Sequence, residues 1–123
     1  MEEIAEKYQD NVRWFDETLG VGRSCDLVSR DLRIGGHRAR IWVIDGFGGD
    51  AVLERMGSFW LGLAPADVEG LTEMQAFIDR FVTFMEANAS TDRENIVTSV
   101  LLGKTLLLVE GVRGAALIDC KEY

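Results

Sequence analysis

The side chains here most often used for acid–base, thiol and metal chemistry are one histidine, two cysteines and 21 acidic residues. His37 sits beside Gly35-Gly36, and nothing near it in sequence supplies both a nucleophile and an orienting acid. A solvated turn residue is therefore the better reading than a general base. Cys25 and Cys120 lie far apart with no Cys-x-x-Cys spacing, as expected of reduced thiols. One histidine, two distant cysteines and scattered acids give no ligand spacing for a metal. The sharpest enzyme-like run is Gly46-Phe47-Gly48-Gly49-Asp50-Ala51, which matches the looser dinucleotide pattern G-x-G-x-x-A between a strand and a helix. A diphosphate there would face Asp45 and Asp50, which offset the attraction of the helix start. No clear strand follows with an acid to hold a ribose, so the run reads as a glycine turn with Asp50 as a helix cap. P-loop, G-x-S-x-G and H-E-x-x-H patterns are missing from the sequence. The expectation is a non-enzymatic chain with no catalytic residue, no cofactor and no metal.

Charge is more informative. Across 123 residues, 13 basic and 21 acidic side chains leave a net charge of −8. Such a chain repels nucleic-acid backbones and anionic lipid, which disfavours both as partners. The arginines are nonetheless clustered. Residues 20–42 hold Arg23, Arg30, Arg33, Arg38 and Arg40 against Asp26 and Asp31, a net of +3, whereas residues 1–19 carry −4 and residues 43–123 carry −7. Two readings stand side by side. The arginines pair with nearby acids as structure, or Arg33, Arg38, Arg40 and Trp42 offer a surface to a protein partner. Arg30 shares strand parity with Val28, Leu32 and Ile34, so it is expected to be partly buried and tied to Asp26, Asp45 or backbone carbonyls. Trp42 has the opposite parity to Ile41 and Val43. It is buried if helices cover both faces of a sheet, and an exposed anchor if they do not.

The elements that must position these residues follow from periodicity. Ile4, Tyr8, Val12, Phe15 and Leu19 make an apolar stripe, predicting an amphipathic helix over residues 2–18 that stops near Gly20. Leu27–Ile34 and Arg38–Ile44 alternate around Gly35-Gly36-His37, a β-hairpin with high glycine demand at the turn. A helix from Ala51 to about Leu61 presents Val52, Leu53, Met56, Phe59 and Trp60, and residues 62–70 form a loop around the single proline, Pro65. Thr72 with Gln75 reads as a capping box for a helix carrying Met74, Phe77, Ile78, Phe81, Val82 and Met85 and ending near Asn88. Thr91 with Glu94 reads as another, for a helix with Ile96, Val97, Val100 and Leu101 closed by Gly103. Thr105–Val109 and Ala115–Asp119 form a second hairpin. The predicted fold is a single α/β domain of mixed α+β type over residues 1–123: one four-stranded mixed sheet built from two hairpins and flanked by about four helices. Three helices separate Arg38–Ile44 from Thr105–Val109, enough chain for a crossover, so these two strands are expected to pair in parallel at the sheet centre. No apolar run approaches the roughly 20 residues of a membrane helix, so the chain is expected to be soluble and not membrane-inserted.

Two groups of motifs stand out along nearly the whole chain. The first is Ser24-Cys25-Asp26-Leu27-Val28-Ser29-Arg30-Asp31-Leu32, then Arg33-Ile34-Gly35-Gly36, Ala39 and Ile44-Asp45-Gly46-Phe47. Leu102-Gly103-Lys104-Thr105, Glu110-Gly111 and Ala116-Leu117-Ile118-Asp119 follow. In this order they resemble the GerA-type spore germination proteins. The helical beginning and the Phe-Gly-Gly variant are most similar to the stage V sporulation protein AF branch. The resemblance implies that Asp26, Arg30, Asp45, Gly46, Gly103 and Gly111 are structural motif positions. It also implies a longer parent, with this chain as the first of two soluble subdomains before an integral membrane domain. That parent would sit in the spore inner membrane with this domain on the cytoplasmic, core side. The implied function is a non-enzymatic assembly or regulatory role in germinant response and ion release. The implied partners are other germination proteins, the parent's second subdomain and its membrane domain, with a homo-oligomer as a further option. The alternative is a small-ligand sensor using the Gly46–Ala51 turn or the 62–70 loop.

Overall fold

The computed structural model describes residues 2–21, 26–44, 56–82 and 85–119. In chain order these form α1 (Tyr8–Leu19), β1 (Leu27–Ile34), β2 (His37–Ile44), a helical stretch at residues 56–61 (α2), α3 (Pro65–Val68), α4 (Met74–Phe81), β3 (Glu86–Ser90), α5 (Arg93–Leu101), β4 (Thr105–Val109) and β5 (Ala115–Asp119). Both predicted hairpins form. In the first, Leu27 stands opposite Ile44 and Ile34 opposite His37. Gly35 and Gly36 between them have φ of 56° and 79°, the pair of left-handed residues that lets a two-residue turn follow the twist of its strands.

The strands make one five-stranded sheet in the order β1-β2-β4-β5-β3, with every pairing antiparallel. This corrects the expected four-stranded mixed sheet. β2 and β4 are indeed central neighbours, but they run antiparallel, Ala39 opposite Val109 and Trp42 opposite Leu106. The chain between them returns along β3 and α5 instead of making one parallel crossover. The fifth strand, β3, falls where the helix was expected to continue. α4 stops at Phe81, and Glu86-Ala87-Asn88-Ala89-Ser90 lies along β5, Glu86 opposite Asp119 and Ser90 opposite Ala115. None of those five residues is β-branched or aromatic, so local preference does not announce a strand. The open backbone edge of β5 makes it one.

The boundaries of the helices shift for identifiable reasons. α1 begins at Tyr8 and not at residue 2, because the Asn11 side chain holds the preceding segment extended. It accepts from the Ala5 N–H at 2.7 Å and donates to the Ala5 carbonyl at 2.8 Å. Gly20, at φ 74°, ends it as expected. α4 has no side-chain cap, and Gln75 bonds Asp79 instead. The Met74 N–H is satisfied by the Arg113 carbonyl at 2.8 Å, in the turn between β4 and β5. α5 is capped by Asp92, one residue beyond the expected Thr91, with its carboxylate accepting from the Glu94 N–H at 3.0 Å.

Helices cover both faces of the sheet. On one, Ala39, Ile41, Val43, Leu107, Val109, Ala116 and Ile118 pack under Met56 and Trp60 of α2, Val68 of α3, and Met74, Phe77 and Ile78 of α4. On the other, Trp42, Leu106, Leu108, Ala115 and Leu117 pack under Val12 and Phe15 of α1 and Ile96 and Val100 of α5. The central strands therefore read as near-continuous apolar runs, all five positions of β4 being buried.

Candidate functional site

The arginine-rich hairpin leans on α1, and the two enclose a cleft of about 350 Å³ lined by Tyr8, Gln9, Asp16, Asp31, Arg38 and Arg40 among others. Strand alternation puts Arg38 and Arg40 on the α1 face of β2, beside Trp42. Helical spacing puts Tyr8 and Asp16 on the side of α1 that meets them. Arg40 reaches Asp31 across the hairpin at 2.9 Å and Asp16 on α1 at 3.2 Å. Asp16 also accepts a 2.9 Å hydrogen bond from the Trp42 indole N–H, so one carboxylate satisfies the polar atom of a fully buried tryptophan and half of an ion-pair network. Arg38 bonds Glu110 of the β4–β5 turn at 2.7 Å and Gln9 at 3.3 Å, and it lies over the Tyr8 ring.

Protonation follows from these contacts. Burial lifts the Tyr8 hydroxyl from 10.0 to about 12, and the neighbouring Asp31 charge adds to the effect. Hydrogen bonding and attraction to Glu110 raise Arg38, and the same bond holds Glu110 below the usual carboxylate range. Burial works against the Arg40 cation, but its bonds to Asp31 and Asp16 outweigh it and its pKa is raised. The cleft is thus a set of fixed, mutually neutralising charges with a phenol that stays protonated. That chemistry suits holding elements together, whereas acid–base catalysis needs a group poised near the working pH.

Of the residues expected to face a partner, Arg33 and Arg38 are exposed, Arg40 is mostly enclosed with 18% of its side chain accessible, and Trp42 is fully buried. Trp42 is therefore no surface anchor, because α1 covers it. Arg30 reverses the other way: its parity is as expected, but β1 is the sheet edge and the side chain is exposed. Asp26 is exposed just ahead of β1. Gly103 at φ 104° and Gly111 at φ 88° occupy left-handed turns after α5 and after β4. Asp45, Gly46 and the whole Gly46–Ala51 turn lie outside the described residues, as do Arg23 and both cysteines. The 62–70 segment, expected as a loop, carries the short helix α3 and packs on the hairpin: Val68 sits against Gly35, whose N–H donates to the Trp60 carbonyl at 3.4 Å. His37 is half-buried at the turn. Tyr8, Gln9, Asp16 and Glu110 carry no local signal as partners of the arginines, since nothing local tells which strand face α1 covers. The exposure of Phe59 and Leu61 of α2, 49% and 69% accessible, is equally hidden in the sequence. Among the described residues no His, Cys, Asp and Glu group is arranged to hold a metal, and no helix is long and apolar enough to cross a membrane.

No protein-family model matches the sequence, and no curated protein matches it. Two solved chains match in structure. One is the crystal structure of the N-terminal domain of the A subunit of the Bacillus megaterium spore germinant receptor GerK3, with a TM-score of 0.78 at 18% sequence identity. The match covers 99% of this chain and 49% of that one, so this chain has that fold over essentially its whole length and spans about half of the solved domain.

Proposed function

We propose that this chain is a domain of a GerA-type spore germination protein that acts by assembly and not by catalysis, taking part in germinant response and ion release from the cytoplasmic side of the spore inner membrane. The observation that carries the reading is an agreement between motifs and fold. The ordered motifs from Ser24 to Asp119 resemble this family, and the fold is similar to about half of the GerK3 A-subunit N-terminal domain. Among the described motif residues, Gly35-Gly36 closes the first hairpin, Gly111 lies in the turn of the second and Gly103 in the turn after α5. The arginine cleft supports a structural role for Arg40, whereas Arg33 and Arg38 at the rim remain as the contact surface for other germination proteins or for the rest of a longer parent.

The test is co-purification of the native protein from spore membranes. Arg33→Ala/Arg38→Ala removes two exposed side chains and one surface ion pair, so unfolding changes by less than about 1 kcal/mol, while recovery of neighbouring germination proteins falls several-fold. Unchanged recovery contradicts this surface.

A further inference from the structure

Among the described residues nothing pairs with the outer side of β1, and the hairpin determines which of its groups face outward. The pair that closes a two-residue turn, here Ile34 with His37, is a hydrogen-bonded pair, and bonded pairs recur at every second residue. Leu32 and Arg30 therefore direct their backbone groups to β2, whereas Ser29, Asp31 and Arg33 direct theirs away from the sheet. The side chains of Asp31 and Arg33 lie on the α1 face, with Arg40 opposite Asp31 and Arg38 opposite Arg33. The second of these is a like-charge cross-strand pair, which is destabilising unless matched. Arg38 has Glu110, but Arg33, among the described residues, bonds only the Gly36 carbonyl at 3.3 Å. Asp31 uses Oδ1 on Arg40 and remains 79% exposed.

We propose that β1 pairs with β1 of a second copy, antiparallel about a two-fold axis through Leu32, joining two five-stranded sheets edge to edge. In this register Leu32 faces Leu32, and Asp31 of each copy faces Arg33 of the other. Both belong to the outward-directed set, so the two pairs supply four backbone hydrogen bonds. A slip of two residues one way sets Asp31 against Asp31, and the other way Arg33 against Arg33. A slip of one turns each strand's faces over. The charge row then runs Glu110, Arg38, Arg33, and on into Asp31 and Arg40 of the second copy, so Arg33, which makes no ion pair among the described residues, gains a carboxylate. On the opposite face the two Leu32 side chains meet, and a cleft of about 480 Å³ runs along the edge, lined by Asp31, Leu32, Arg33, Trp60 and the exposed Leu61 among others. Charged residues on an edge ordinarily discourage pairing. Here the sign alternates along the strand, which makes the edge self-complementary, as a two-fold interface requires.

The inference names one occupant of the surface proposed above and rests on that reading for its setting, but its test uses the purified chain alone. Sedimentation equilibrium from about 10 μM to about 1 mM is expected to show a reversible dimer of the size typical of small interfaces. Arg33→Asp sets Asp31 against a carboxylate and weakens the dimer roughly tenfold or more. Asp31→Arg does the same with two arginines. An equimolar mixture of the two variants re-creates both opposite-charge pairs and recovers the dimer. Asp31→Arg also removes a bond to Arg40, so circular dichroism checks its fold. Arg33→Pro, which deletes one outward N–H and leaves Asp31 in place, is a further variant expected to be monomeric. A wild-type chain monomeric throughout the range, or variants that dimerise as tightly as the wild type, overturns the self-pairing, while the co-purification experiment still judges the broader reading.

Discussion

Asp16 is where the helix and the sheet depend on each other. Its carboxylate accepts from the buried Trp42 indole and from Arg40, so Asp16→Ala leaves a buried donor without a partner. The expected cost is about 2 kcal/mol, or roughly 8 °C in Tm, read by urea and thermal unfolding. Asp16→Asn, which keeps an acceptor for the indole, loses less than half of that, and equal losses would show that the charge and not the acceptor matters. Tyr8 gives a pH signature at the same scale. Its hydroxyl is lifted to about 12 in the folded chain against 10.0 when free. The folded state holds this proton more tightly than the unfolded state. The contribution is therefore complete below pH 10 and is lost as the pH rises from 10 towards 12. Tyr8→Phe flattens stability over that window, and an unchanged slope would place the hydroxyl in water.

At the scale of elements, the Gly35-Gly36 turn shows how packing narrows what local geometry permits. Both residues are left-handed, and asparagine ordinarily serves at such positions. A Cβ on Gly35 would approach Val68 Cγ2 to 2.6 Å and the Ala64 carbonyl to 3.1 Å, whereas one on Gly36 meets only Pro65 at 3.4 Å. Gly35→Ala is expected to destabilise by about 2 kcal/mol or more, through strain and clash together. Gly36→Asn stays within about 1 kcal/mol. Comparable midpoints in urea for the two variants would contradict the docking of α3 on the turn. The hairpin itself was legible because alternation and paired glycines are local signals. β3 was not, because Glu86 to Ser90 carries no strand preference and takes its conformation from β5. The antiparallel pairing of β2 with β4 was equally hidden, since the composition of a buried strand is the same for either direction. In the site, the arginines and their parity could be read, but the burial of Trp42 and the exposure of Arg30 depended on which element covered which strand. That is decided by α1 and by the strand order, both non-local.

For the molecule as a whole, a sheet covered by helices on both faces leaves its edges and the helix rims to meet other proteins. The arginines that sequence alone grouped together divide accordingly: Arg40 ties α1 to the sheet, and Arg30, Arg33 and Arg38 stand at the rim. An account in which assembly is the function is tested most directly in spores that lack the coding sequence. Nutrient-triggered ion release is expected to be slowed several-fold, to return to normal with the wild-type gene, and to stay slow with Arg33→Ala/Arg38→Ala. Release at the wild-type rate from the deletion strain would contradict a role for this protein in germination.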